Sequence, residues 1–142
     1  MTVSQQVANK TLVRIFYEGV VNNADFDLAS RILTANFWDH GNPPDEPKGV
    51  EGLRRFLSML ATAFPDIKVE VREMLAEGDL VAVRLKVSGT HTGILLGKIP
   101  PSGKRAIWSG MDFLRVSDGK IVERWGVRDL LGLMQQIGAV KS

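Results

Sequence analysis

The sequence predicts an α+β domain, and three observations carry that prediction. Apolar residues recur at helical spacing through the first 64 positions, and two-residue alternation takes over from Ile67. The alternating stretches are joined by short turns, which makes the sheet mainly antiparallel. Helices followed by strands give segregated layers rather than an alternating parallel plan. A chain of 142 residues fits a single domain, 1–142, large enough to bury a core.

The elements follow in order. Ala8, Leu12, Ile15, Phe16 and Gly19 share a helical face after a cap at Ser4. A shorter helix follows Asn23 or Asp25, with Leu28, Ile32 and Leu33 on one side. Phe37–Gly49 carries three of the six prolines and reads as a loop, since proline continues neither a helix nor a central strand. The stripe Leu53, Phe56, Leu57, Leu60, Phe64 predicts a helix over Val50–Phe64, stopped by Pro65. Ile67, Val69 and Val71 then alternate with charged residues, and Glu77-Gly78-Asp79 turns the chain into Val81, Val83, Leu85 and Val87, a hairpin pattern. A loop spans Thr90–Lys104, a long strand Arg105–Val116, and Asp118-Gly119-Lys120 turns into a closing strand at Ile121. Arg84, Lys86, Arg124 and Arg128, and with them Trp108, are expected on a second face that water or a partner subunit covers.

Composition excludes several classes. A formal net charge of +2, with only two adjacent basic pairs, gives no nucleic-acid footprint. The absence of cysteine removes disulfides, thiolate metal sites and thiol nucleophiles. The N-terminus lacks the pattern of a secretory signal and no apolar run is long enough to cross a membrane, so a cytoplasmic location without membrane contact is expected. No glycine-rich phosphate loop or dinucleotide fingerprint implies an organic cofactor. The two histidines and Asp129 lack metal-ligand spacing, so no metal is expected.

The closing strand is the most informative segment. Counting by two from Ile121 gives Glu123, Trp125, Val127 and Asp129. If Trp125 and Val127 face the interior, Asp129 does too, and a carboxylate there must be paired, solvated or used. Asp129 also precedes Leu130, Leu133, Met134 and Ile137 at helical spacing, where aspartate is a preferred N-cap. Both roles stay open. His91 keeps the parity of the inward residues Val81–Val87, and His40 sits in the proline-rich loop after Phe37-Trp38-Asp39. Asp112 shares parity with Trp108, Leu114 and Val116, against Met111 and Phe113. Alternation alone does not say which set is interior. By the same parity Arg84, Arg124 and Arg128 point away from Asp129.

Four runs carry a family resemblance: FPDIKVEV (Phe64–Val71), GTHTG (Gly89–Gly93), GKIPPSGKR (Gly97–Arg105) and DGKIVERWGVRDLLGLMQQIG (Asp118–Gly138). Together they resemble the SnoaL-like polyketide cyclases of the nuclear transport factor 2-like superfamily, over about Val7–Gly138. The resemblance implies a strongly curved antiparallel sheet, a cone-like barrel around an internal pocket, covered by N-terminal helices. It implies a cofactor-independent intramolecular aldol condensation on a hydrophobic carbonyl compound, with Asp129 of the W-x-x-x-D pattern as acid/base and His40 and His91 at the family's histidine positions. Relatives often carry histidine where this chain has Arg124. The expected pocket walls are Phe16, Tyr17, Trp38, Phe56, Met111, Phe113 and Trp125, with Ile94-Leu95-Leu96 as a lid. A homodimer formed through the sheet is expected. The scaffold also supports epoxide hydrolysis, ketosteroid-type isomerisation and non-catalytic ligand binding, and epoxide hydrolysis would require Asp129, Asp112 and an inward arginine converging on one water.

Overall fold

The computed structural model describes residues 2–141. Helix α1 (Val3–Arg14) starts at Thr2, whose hydroxyl accepts from the Gln5 N–H, two residues ahead of the Ser4 cap expected from the sequence. It runs without interruption into a π-helical segment, Ile15–Val21, that buries Phe16, Tyr17 and Val20. Helix α2 (Phe26–Ile32) is capped by Asp25, which accepts from the Leu28 N–H.

Strand β1 (Leu33–Asp39) follows at once. The sequence pattern puts Leu33 on a helix face and Phe37–Asp39 in a loop, because the ladder of this strand is long-range and irregular. It pairs in parallel with the last strand, through Leu33 with Ile121 and Asp39 with Arg124, and the register shifts between them. Pairing across the domain overrides a weak local signal. Helix α3 (Gly49–Ala63) begins at a glycine with φ of +74°, where an added Cβ would stand 2.6 Å from the Ala35 carbonyl oxygen, and it stops before Pro65 as predicted.

The remaining elements match the predicted order: β2 (Lys68–Glu77), β3 (Leu80–Thr90), β4 (Arg105–Ser117), β5 (Lys120–Arg128) and α4 (Leu130–Gln136). The fold is α+β, with a five-stranded sheet ordered β1-β5-β4-β3-β2, antiparallel except for β1 on β5. The sheet is curved but not closed, since β1 and β2 form its two edges.

One irregularity decides which way the side chains of β5 point. Val116 pairs with Ile121, yet Arg115 pairs with Glu123, so Val122 is an extra residue in β5. A bulge of this kind exchanges the faces of everything beyond it. Ile121 therefore points inward, and beyond Val122 the inward residues are Arg124, Gly126 and Arg128. Trp125 and Val127 pair with Phe113 and Met111 on the outer face. The parity expectation for β5 is corrected accordingly: Val127 is 69% exposed, and Arg124 is buried. In β4 alternation is unbroken and puts Ala106, Trp108, Gly110, Asp112, Leu114 and Val116 inside. Trp108, expected on the second face, is a core residue.

The helices cover this inner face. Phe16, Tyr17, Phe64, Leu85, Trp108 and Leu114 belong to one continuous core, so the concave side is filled by side chains. Among the described residues no helix is long and apolar enough to cross a membrane.

Candidate functional site

Inside the apolar core lies a cluster of charged groups that the sequence distributes over four elements. Asp112, only 3% exposed, projects from the middle of β4. The Nε of Arg124 donates to its Oδ2 at 2.9 Å, and Arg128 donates from Nη1 to Oδ1 at 2.5 Å and from Nη2 to Oδ2 at 3.2 Å. The Tyr17 hydroxyl, delivered by the π-helical segment, donates to Oδ2 as well. Arg124 reaches past Asp112 to the end of β1, where its Nη1 donates to Asp39 Oδ2 at 2.7 Å. One guanidinium thus bridges two carboxylates, and a second, less buried one shares the inner carboxylate.

Two in-strand glycines make room for this. A Cβ on Gly126 would stand 2.5 Å from Asp112 Oδ1, and one on Gly110 would stand 2.5 Å from Arg128 Nη1. Glycine inside a strand marks a close approach, and here polar side chains lie across the backbone. A seven-residue π-helix is uncommon, and π-helical turns concentrate at functional sites.

Electrostatics set the protonation states. Burial alone would raise the Asp112 carboxyl, but Arg124, Arg128 and the Tyr17 hydroxyl more than offset it and hold the group below the usual carboxylate range. Burial, reinforced by Asp112 and opposed by Arg124, pushes the Tyr17 hydroxyl far above the ordinary phenol range. Burial would lower the Arg124 guanidinium, but Tyr17, Asp112 and Asp39 keep it above its ordinary value. At neutral pH the cluster is an ionised carboxylate, two guanidiniums and a neutral phenol. It can donate protons in hydrogen bonds to a developing anion, and it can accept a proton at Asp112.

The sequence-predicted residues are dispersed. Asp129 is exposed and caps α4, accepting from the Gly132 N–H at 2.9 Å, so the capping reading of this residue is what the geometry displays. His40 lies on the outer side of the sheet, 3.7 Å from the Trp38 ring and stacked at 4.6 Å on Trp125. Its Nε2 is 2.8 Å from Glu123, and that hydrogen bond, helped by Arg115 and opposed by burial, holds the Glu123 carboxyl low. His91 is buried at the end of β3, on the inward side that its parity predicted. Among the described residues no hydrogen bond or ion pair joins Asp129, His40 and His91 to one another.

Of the expected walls, Phe16 and Tyr17 are inside and Phe56 is half-buried on α3. Met111 (60% exposed) and Phe113 (54%) stand on the outer face with Trp38 and the half-buried Trp125, so the interior-facing expectation is corrected for these four. In the lid segment Leu95 is buried, while Ile94 and Leu96 are exposed. Among the described residues no group of three or more histidine, aspartate or glutamate side chains is arranged to hold a metal ion.

Two-residue alternation along β5 predicts Arg124 and Arg128 outside, because the bulge at Val122 has no signature of its own. The signal that could have found them is the pair Gly110 and Gly126, opposite each other's neighbours in adjacent strands.

Comparison with known proteins agrees with this architecture. A match to the SnoaL-like polyketide cyclase family spans residues 11–137. A curated relative, the aklanonic acid methyl ester cyclase DnrD of Streptomyces peucetius, is 31% identical over 132 residues, covering 89% of this chain and 88% of that protein. Among solved structures, TsrD from Streptomyces laurentii superposes with a TM-score of 0.83 at 28% identity, covering 94% of this chain and 97% of that one. A candidate polyketide cyclase from Bacillus cereus gives a TM-score of 0.81 at 30% identity, covering 99% and 87%. With the family match, the DnrD relationship and the shared fold in agreement, this chain belongs to the SnoaL-like polyketide cyclase family.

Proposed function

We propose that this protein closes a ring by cofactor-independent, intramolecular aldol-type addition in a hydrophobic carbonyl compound, and that the reacting centre is the Tyr17–Asp112–Arg124–Arg128 cluster. The observation that carries the reading is a charged, hydrogen-bonded group of side chains held in an apolar interior beneath a π-helical segment. The name of the relative DnrD supports a methyl ester of an acidic polyketide as the substrate class.

The substrate carries a C–H between two carbonyl groups. Asp112 takes that proton, and the carbanion forms a C–C bond to a ketone carbon of the same molecule. The new alkoxide regains a proton from Asp112, with the neutral Tyr17 phenol as hydrogen-bond donor. An arginine-bonded carboxylate is a weak base at rest. Arg128 resolves this, because its side chain is 21% exposed against 8% for Arg124, which makes it the cation within reach of solvent and ligand. Turning toward the substrate's enolate oxygen, it stabilises the anion where charge develops and leaves Asp112 more basic in the same motion. Entry of the substrate requires the core side chains around Tyr17 to part.

Asp129, at the end of β5, is the alternative base in this proposal. The test uses aklanonic acid methyl ester as substrate with Asp112→Asn and Asp129→Asn. Loss of ring closure in the first alone supports the buried centre, and loss in the second alone moves the base to the strand end.

A second reading has its own support. Asp39–Arg124–Asp112 brings two carboxylates and one inward arginine together, the residue types that epoxide hydrolysis on this scaffold uses around a water. Formation of a diol from an apolar epoxide would select it.

We further propose that the outer face of β4 and β5 forms a homodimer. Met111, Phe113 and Val127 are exposed there side by side, with the Trp38–His40–Trp125 stack next to them. Contiguous apolar surface of this kind marks an interaction site. Light scattering should give twice the chain mass for the native protein and the chain mass for Met111→Lys.

A further inference from the structure

His91 takes no part in the cluster around Asp112, yet its ring is held from several sides. Its backbone N–H donates to the Lys104 carbonyl at 2.9 Å, and its carbonyl accepts from the Gly103 N–H at 2.7 Å. The ring lies 5.4 Å from Phe64, which in turn lies 5.1 Å from Trp108. The Nδ1 atom accepts from the Ser102 backbone N–H at 3.2 Å and stands 3.0 Å from the Ser102 hydroxyl. A ring nitrogen that receives an N–H carries no proton, so the proton of the neutral ring sits on Nε2. Protonating Nδ1 would set two N–H groups against each other. Nε2 is buried and has no hydrogen-bond partner among the described residues.

A buried donor left unpaired is costly and uncommon in folded proteins. The backbone bonds hold the residue in place and the Nδ1 contacts hold the ring, so turning Nε2 to solvent would break the contacts to Ser102. We infer that His91 is a prepositioned hydrogen-bond donor, offering Nε2–H to a neutral oxygen, a ketone, ester carbonyl or hydroxyl, of the bound ligand. This rests on the proposed function in that the ligand is the hydrophobic carbonyl compound of that reading, and it gives His91 a positioning role rather than a share in proton transfer. Two features select a neutral oxygen over a carboxylate. The ring donates in its uncharged form, and it packs on the apolar Phe64 ring, which does nothing to repay the desolvation of an anion.

The test uses the full chain with isotopically labelled histidine, in which two imidazoles are to be assigned. Long-range proton–nitrogen correlation should show the His91 proton on Nε2 before any ligand is added. Saturation with aklanonic acid methyl ester should move that Nε2–H resonance. Binding followed by tryptophan fluorescence should weaken about tenfold in His91→Phe, the scale of one neutral hydrogen bond. His91→Gln, which restores a donor, should recover most of it. The free acid should bind more weakly than the methyl ester.

A proton on Nδ1 in the ligand-free protein overturns the inference. So does an Nε2–H resonance unmoved by the probe, or undiminished binding by His91→Phe. The two readings fail separately. A shifted Nε2–H with no ring closure keeps the donor and rejects the aldol reaction, while ring closure with an unmoved Nε2–H does the reverse.

Discussion

Replacing Arg124 with methionine isolates the group on which the buried cluster depends. The guanidinium bonds Asp112 at 2.9 Å and Asp39 at 2.7 Å, and its side chain and those two carboxylates are each less than a tenth exposed. At an effective dielectric constant of about 20, each contact is worth on the order of 4 kcal/mol of Coulomb energy, most of which desolvation of the three ions consumes. Removing the central cation leaves the desolvation in place and takes away the attraction, a change that typically costs about 3–5 kcal/mol. Arg128 still bonds Asp112 in the variant, which argues for the lower end, about 3 kcal/mol. For a domain of this length that corresponds to a fall in Tm of roughly 10 °C.

The pH dependence gives a second signature of the same variant. The Asp112 carboxyl is held below its ordinary value in the folded state, so its contribution is present above about pH 3.9 and is lost as pH falls through the folded value. The gap in Tm between native protein and Arg124→Met should therefore be widest near neutrality and should shrink toward strongly acid pH. Circular dichroism melts at a series of pH values read both quantities. A fall of less than about 2 °C, or a gap that does not change with pH, would refute the assignment of a buried ionised network.

Other variants probe the neighbouring parts. Tyr17→Phe removes a hydroxyl donor to a buried charge and should cost about 1.5–3 kcal/mol in urea unfolding, with the aromatic packing on Phe16 retained. Gly126→Ala sets a methyl group against Asp112 and Arg124 and should destabilise by about 1–3 kcal/mol, whereas the same change at the open turn glycine Gly119 brings no such collision and is strained only by its positive φ. Asp129→Ala should cost about 1 kcal/mol through loss of the α4 cap, while Asp129→Asn, also a good capping residue, should leave Tm nearly unchanged.

Much of the fold was legible because it rests on local periodicity. The alternation of Val81 to Val87 and the stripe from Leu53 to Phe64 each specify a buried face without reference to the rest of the chain. The capping role of Asp129 was equally readable, since it depends on the four residues that follow. Strand β1 was not, because its partner β5 lies about 85 residues away and its ladder is broken between Leu33 and Trp38. The cluster was lost through a single residue. Val122 shifts β5 by one position, and with that shift Arg124 and Arg128 move from the outer face to the inner one while Trp125 and Val127 move out. His91 was placed correctly because no bulge intervenes between Val81 and the end of β3 in its pairing with β4. The tautomer of its ring, by contrast, is decided by Ser102, and nothing in the spacing of the two residues announces that contact.

The most direct test of the proposed acid/base role of the buried cluster is single-turnover ring closure of aklanonic acid methyl ester by the native protein and by Asp112→Asn and Asp129→Asn. Asparagine keeps the shape of each side chain and removes its capacity to accept the proton. The account predicts a loss of at least about a hundredfold in Asp112→Asn, the scale of a missing general base, and a rate within a few fold of native in Asp129→Asn. A near-native rate in Asp112→Asn, or collapse of the rate in Asp129→Asn without a change in Tm, would contradict it.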